Sequence, residues 1–241
     1  MDGVVTLWVY LSTSPLLWLT ATLAAYLAAD RLQRTLGRHP LANPVLIAVA
    51  ALVVVLQVSG TPYATYFDGA QFVHFMLGPA TVALAVPLAA KALEVRRLLL
   101  PMAAAVLAGS LTAMAAAAGV GWALGASPTT LRSLLPKSVT TPIAMAISEQ
   151  IGGSPGLTAV LVILTGIIGA VLVTPLMNAL GLRDYAARGY AAGVASHGIG
   201  TARAFQVSEL AGTFAGIGLA LNGLVTSMLA PLVVHLWARL G

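Results

Sequence analysis

The sequence predicts an all-α, polytopic transmembrane helix bundle of about seven spans plus a re-entrant hairpin, with broken helices and an inverted repeat. Three observations carry this prediction. First, 59% of the 241 residues are apolar and only 8% are charged, with a mean hydropathy of +0.94, whereas a soluble domain carries roughly 25% charged residues. Second, charge-free runs of ~20 residues, long enough to span a bilayer, recur along the chain. Third, the bases sit in short loops between those runs, as the positive-inside rule describes.

Composition also excludes several classes. Without cysteine there are no disulfides, thiolate catalysis or zinc–sulfur sites. The isoelectric point near 10.0 does not signal nucleic acid, because the bases form no cluster on a polar surface. No cofactor or metal-ligand cluster is expected. The length sets a single membrane domain, 1–241, with no soluble module left over.

Taken in order, the first apolar run extends from Gly3 to Ala29. It opens with Asp2, and its bases Arg31, Arg34 and Arg38 follow it. That order predicts a retained helix with its N-terminus outside rather than a cleaved signal. Further spans are predicted at 43–59, 70–90, 99–124, 157–180, 187–207 and 211–237. The loops with Arg31/Arg34/Arg38, Lys91/Arg96/Arg97 and Arg183/Arg188 are assigned to the cytoplasm, together with Arg239. Four crossings then bring the chain outside near Ala126–Thr130, and 157–180 must run inward to place Arg183. The stretch 132–151 is therefore predicted to enter and leave on one side, giving an N-out, C-in chain. Gly121/Gly125, Gly189/Gly193 and Gly212/Gly216 are small-xxx-small pairs, read as close helix packing.

Three segments break the rules of a membrane helix. Leu77-Gly78-Pro79-Ala80-Thr81 puts a Gly-Pro breaker inside an apolar run closed by Pro87. Leu135-Pro136-Lys137-Ser138-Val139-Thr140-Thr141-Pro142 packs two prolines, three hydroxyls and a lysine into eight residues, with Glu149 and Gln150 following. Ala195-Ser196-His197-Gly198-Ile199-Gly200-Thr201-Ala202-Arg203 places a histidine, an arginine and two glycines in an otherwise spanning helix. Backbone freed by such breaks survives at membrane depth only when buried in protein or lining a wet cavity. Discontinuous helices also aim their partly positive N-termini at a common centre, which suits an anion. Lys137 and Arg203 add full positive charge, and Thr81, Ser138, Thr140, Thr141 and Thr201 add neutral donors beside His197 and Gly198. Together these form a candidate carboxylate cradle.

Each residue has a second, structural reading. Lys137 and Arg203 can snorkel to the interface. His197 can make a purely structural hydrogen bond, Glu149 can be a solvated hairpin end, and a membrane threonine commonly bonds its own i−4 carbonyl. His74, Glu209 and His235 read as interface residues. Intramembrane ionisable groups are functional candidates by default. Glu149 and His197 are the candidates for a coupling proton, because a buried glutamate or a histidine can titrate near neutral pH.

At these same segments the sequence resembles the LrgB/CidB family of antiholin-like membrane proteins. The most specific block is Leu134-Leu135-Pro136-Lys137-Ser138-Val139-Thr140-Thr141-Pro142-Ile143-Ala144. Gly78-Pro79-Ala80-Thr81-Val82-Ala83-Leu84-Ala85-Val86-Pro87-Leu88 and His197-Gly198-Ile199-Gly200-Thr201-Ala202 support it. The likeness runs from about residue 60 to the C-terminus, with Ser196 standing where alanine is expected. It implies a multi-pass protein of the bacterial inner membrane, in the same group as the plastid glycolate/glycerate transporter. It also implies an association with murein hydrolase control, often beside a small LrgA/CidA-like membrane partner.

Three functions follow as expectations. The first is a proton-coupled secondary carrier of glycolate-, glycerate- or pyruvate-like monocarboxylates, with a homodimer expected by analogy. The second is a holin-like channel or antiholin-type regulator of membrane permeability. The third, an intramembrane enzyme using Ser196 and His197, is disfavoured because adjacent helical positions point about 100° apart. The Gly78–Pro87 and Gly198–Arg203 breaks are the expected counterparts of the inverted repeat.

Overall fold

The computed structural model describes residues 14–39, 41–83, 89 and 92–240, and its elements there are all helical. The chain forms two compact units, Met1–Ala83 and Leu84–Gly241. Among the described residues, three helices are long and apolar enough to cross a membrane: Arg96–Ala123, Pro155–Ala179 and Glu209–Trp237. The chain is a membrane protein.

The first unit contains α1 (Pro15–Thr35), α2 (Pro44–Ser59), α3 (Tyr63–Phe75) and α4 (Leu77–Ala83). Proline opens both α1 and α2, where its missing N–H costs nothing. Asn43 caps α2, its Oδ1 accepting from the backbone N–H of Val45 at 2.9 Å and of Leu46 at 3.2 Å. The buried Trp18 of α1 meets Tyr66 of α3 edge to face, with ring centroids 5.8 Å apart. The expected span at 70–90 is not one helix: α3 begins seven residues earlier, and the helix is interrupted at Met76. Pro79 explains the interruption, since it has no N–H to donate and its ring crowds the carbonyl of Phe75. The start of the first expected span (residues 1–13), Pro87 and Lys91 lie outside the described residues, as do the side chains of Thr81 and His74.

The second unit contains α5 (Ala92–Ala123), α6 (Pro128–Leu134), α7 (Thr141–Gln150), α8 (Pro155–Ala179), α9 (Tyr185–Val207) and α10 (Glu209–Leu240). Helices α5 and α10 run in the same direction. Leu98 and Phe214 share one cavity, Ser110 bonds Asn222 at mid-length, and Trp122 and Trp237 share another cavity. Helix α8 runs the other way, with Thr158 beside the α6–α7 hairpin and Thr174 beside Arg188.

The α6–α7 segment folds as a helical hairpin. Its two arms are tied at the open end by Ser133 and Ser148. Thr158 Oγ1 donates to the Ser148 hydroxyl at 2.7 Å and also contacts the Ser133 carbonyl at 3.1 Å, while Ser154 N–H donates to Ser133 Oγ at 2.8 Å. The segment α9 departs from expectation. Ser196 (φ −132°, ψ 17°) and His197 (φ 42°, ψ −137°) leave helical geometry, and the chain reverses there. Gly200 comes back against the carbonyl of Ala192, and Ala192, Ala204 and Ala211 join one buried cluster. Tyr185 and Val207, ~33 Å apart in a straight helix of this length, line the same small pocket. The stretch 187–207 is thus a second helical hairpin rather than a single span.

This reversal corrects a further expectation. The end of α10 lies with Trp122 and Arg132, opposite Arg183 and Arg188, so the C-terminus does not share their side. Within the second unit, the break at 196–197 and the turn at 135–140 are the tips of two helical hairpins. The order is helix, hairpin, helix, hairpin, helix, and the hairpins enter from opposite ends.

Candidate functional site

The first tip is the turn at 135–140. Pro136 and Pro142 bracket it, and Pro142 stands in the first turn of α7 with Thr140 as its N-cap residue. Leu135, Pro136 and Val139 are buried anchors. Lys137 and Ser138 are held between them by short-range turns, Lys137 N–H to Leu134 O at 3.3 Å and Val139 N–H to Pro136 O at 3.2 Å.

The second tip is Ser196–His197. A positive φ at a residue other than glycine costs of order 1–3 kcal/mol and persists only where the surroundings over-determine it. Here they do. The glycines Gly166 and Gly169 of α8 leave the space that the His197 ring and the Ser196 side chain fill. His197 is 5% exposed, and its Nε2–H donates to the Val162 carbonyl of α8 at 2.8 Å. That bond places the ring proton on Nε2 and leaves Nδ1 as the acceptor nitrogen.

Asn222, at the middle of α10, joins the two tips. Its Nδ2 donates to Ser138 O of the first tip at 3.0 Å and to Val194 O of the second at 2.9 Å. Its Oδ1 accepts from Ser110 Oγ of α5 at 2.6 Å and from Thr226 Oγ1 at 3.2 Å. The amide, 1% exposed, therefore uses all four of its hydrogen-bonding positions. Val194 O lies one helical turn before the break, so Asn222 supplies a donor where the reversal interrupts the ladder. Sequence reasoning confined to ionisable groups missed Asn222. Its signal was a lone amide in the centre of a 32-residue helix that is otherwise strongly apolar.

Beside this crossing lies a cleft of about 430 Å³ between α5, the first tip and the first arm of α9. Lys137 and Ser138 line it together with Tyr190, Val194 and a set of small residues. Lys137 is half-buried and makes no hydrogen bond or ion pair among the described residues.

The other expected residues distribute as follows. Gly198 and the buried Thr201 follow the second tip, and Thr201 Oγ1 bonds its own i−4 carbonyl, His197 O, at 2.9 Å. Thr140 and Thr141 stand half-buried at the start of α7. Arg203 is not with Lys137. The reversal returns it toward the open end of its hairpin, where it lines a separate small pocket with Arg188 and contacts Gln206 Oε1 at 3.2 Å. Glu149 is exposed at the C-terminal end of α7, whereas His197 is buried. Thr81 lies on α4 in the first unit, and its side chain is outside the described residues. Among the described residues no group of three His, Cys, Asp or Glu side chains could hold a metal.

Comparison with known proteins adds the lineage. The model of the LrgB-like family matches residues 22–236. The chain is 31% identical over 221 residues to a holin-like protein CidB of Staphylococcus epidermidis, covering 92% of this chain and 96% of that protein. It is 35% identical over 213 residues to the uncharacterized protein YwbG of Bacillus subtilis, covering 88% and 94%. The holin-like protein CidB of Staphylococcus aureus is 31% identical over 222 residues, covering 92% and 96%. No solved structure matches. With a family match along nearly its whole length, the chain belongs to the LrgB-like family.

Proposed function

We propose that this chain is a secondary carrier of small monocarboxylates, with its binding site where two re-entrant hairpins meet at mid-membrane. The observation that carries the reading is the pairing of both hairpin tips on Asn222, beside a cleft that holds Lys137, which has no polar partner among the described residues. The ten-residue arm α7 and the arm 185–195 are each about 15 Å long at 1.5 Å per residue. That is half of the ~30 Å hydrocarbon core. On this reading α5, α8 and α10 cross, and the hairpins reach the centre from opposite faces. The α5–first hairpin and α8–second hairpin pairs form the inverted repeat.

Arg96, Arg97, Arg183, Arg188 and Arg203 gather at one end of the second unit, which the positive-inside rule assigns to the cytoplasm. The end of α10 then faces outward across a bacterial inner membrane. Lys137 pairs with the carboxylate, and the start of α7 adds its positive dipole end. His197 carries the coupling proton through Nδ1, and Arg203 acts at the cytoplasmic mouth rather than in the cradle. A homodimer and a small LrgA/CidA-like partner belong to the same proposal, and no catalytic step is assigned.

A second reading has its own support. The relatives from Staphylococcus are named holin-like, and those names favour a regulator of membrane permeability more directly than a carrier. The two readings separate in proteoliposomes. A carrier gives saturable, mutually competitive uptake of labelled glycolate, glycerate or pyruvate, stimulated by an inward proton gradient. A holin-like pore gives non-saturable leakage that depends on solute size.

A further inference from the structure

A separate cavity of about 320 Å³ lies where the C-terminal ends of α5 and α10 meet the open end of the first hairpin. We propose that it binds the phosphate headgroup of an anionic phospholipid of the outer leaflet. Trp122 of α5 and Trp237 of α10 line it, and Arg132 of α6 supplies its positive charge. Pro128, Leu131 and Val234 add apolar wall.

The depth of the cavity fits a headgroup. Ser110 and Asn222 bond across the middle of α5 and α10, at the level where the hairpin tips meet on the reading above. Trp122 lies twelve residues beyond Ser110, and Trp237 fifteen beyond Asn222. Those intervals are about 18 and 22 Å along the helices at 1.5 Å per residue, whereas half of the hydrocarbon core is about 15 Å. Both rings therefore stand just outside the core, at the level where tryptophan concentrates in membrane proteins. They are 71% and 39% exposed, so each turns part of its surface outward.

The chemistry fits a phosphate. Arg132 is half-buried, and its guanidinium makes no hydrogen bond or ion pair among the described residues. Gly152, at φ 76° less one degree from that of Gly125, leaves room for it, since a Cβ there would stand 3.0 Å from Arg132 Nη1. The planar fork of donors matches two phosphate oxygens. Phosphatidylglycerol brings a net negative charge to this fork, whereas the quaternary ammonium of phosphatidylcholine is repelled by it. Arg132 also directly precedes Ser133, which ties the first hairpin to α8. A lipid held here links the ends of α5 and α10 to that hairpin, whatever the chain carries.

Binding of radiolabelled phosphatidylglycerol to the immobilised full chain in detergent tests this, with phosphatidylcholine and inorganic phosphate as competitors. Saturable binding is expected, displaced severalfold less well by phosphatidylcholine than by unlabelled phosphatidylglycerol and not displaced by millimolar phosphate. Arg132→Gln is expected to weaken binding about tenfold, the loss of a charge-assisted hydrogen bond, and Trp122→Ala to weaken it severalfold. Displacement by phosphate alone would make the site one for the free anion and overturn the lipid assignment. Phosphatidylcholine competing as well as phosphatidylglycerol, or better, would make the tryptophans a cage for choline and overturn the anionic preference. Unchanged binding in Arg132→Gln, or in Trp122→Ala if the first variant does not fold, overturns the site and leaves the carrier reading standing.

Discussion

Removing the Asn222 side chain should loosen both hairpins at once. In Asn222→Ala, the Ser138 and Val194 carbonyls lose the donor they share, and Ser110 and Thr226 lose their acceptor. The two hydroxyls have a fallback, since each can turn to its own i−4 carbonyl on the helix. The two carbonyls have none at the tips, and each orphaned buried group costs about 1–3 kcal/mol. Interhelical hydrogen bonds inside membranes run toward the low end of such values, so the total is about 2–4 kcal/mol. At roughly 2–4 °C per kcal/mol for a chain of this size, the unfolding midpoint should fall by on the order of 5–15 °C. Asn222→Asp is the sharper comparison. It keeps both acceptor contacts but turns carboxylate oxygens toward two carbonyls, and it should be at least as damaging as alanine. Thermal unfolding in detergent, followed by tryptophan fluorescence, reads both variants. A midpoint within 1–2 °C of the parent for Asn222→Ala, with uptake intact, would refute the claim that this amide holds the tips together.

Three other predictions address the site from different sides. Lys137→Met should abolish saturable carboxylate uptake while leaving expression and melting near those of the parent, because the ammonium has no polar partner to lose among the described residues; unaltered uptake would remove Lys137 from the site. At position 197, where φ is 42°, His197→Gly should be more stable than His197→Ala by about 1 kcal/mol, since only glycine adopts that backbone without strain; equal melting of the two would contradict the left-handed tip. Thr158→Val loses both the Ser148 hydroxyl and the Ser133 carbonyl and should cost about 1–2 kcal/mol, with faster hydrogen exchange confined to 128–150; unchanged exchange there would show that this cluster does not brace the first hairpin.

Much of this architecture was legible in the residues, and the failures have physical causes. The class followed from the scarcity of charge, and a reversal within 132–151 was expected from the parity of the basic loops. The second hairpin was hidden because no proline marks it. His197 takes a conformation normally left to glycine, and what enforces it is distant in sequence: Gly166 and Gly169 of α8 make the space. A local reading of 195–203 sees a weakened helix but not its reversal. That single omission carried Arg203 to the wrong end, grouped it with Lys137, and put the C-terminus on the wrong side. Asn222 escaped notice for a different reason. An amide carries no charge, so it does not stand out beside lysine and arginine, although a buried amide needs partners for all of its donors and acceptors.

Counterflow tests the central claim most directly. Proteoliposomes preloaded with unlabelled pyruvate are diluted into a trace of labelled pyruvate, and internal label is followed over time. A carrier with one site at the hairpin tips predicts a transient overshoot of label above equilibrium, lost in Lys137→Met. Label that rises only to equilibrium without overshoot, alongside escape of an unrelated entrapped sugar, would contradict the carrier and establish a holin-like pore.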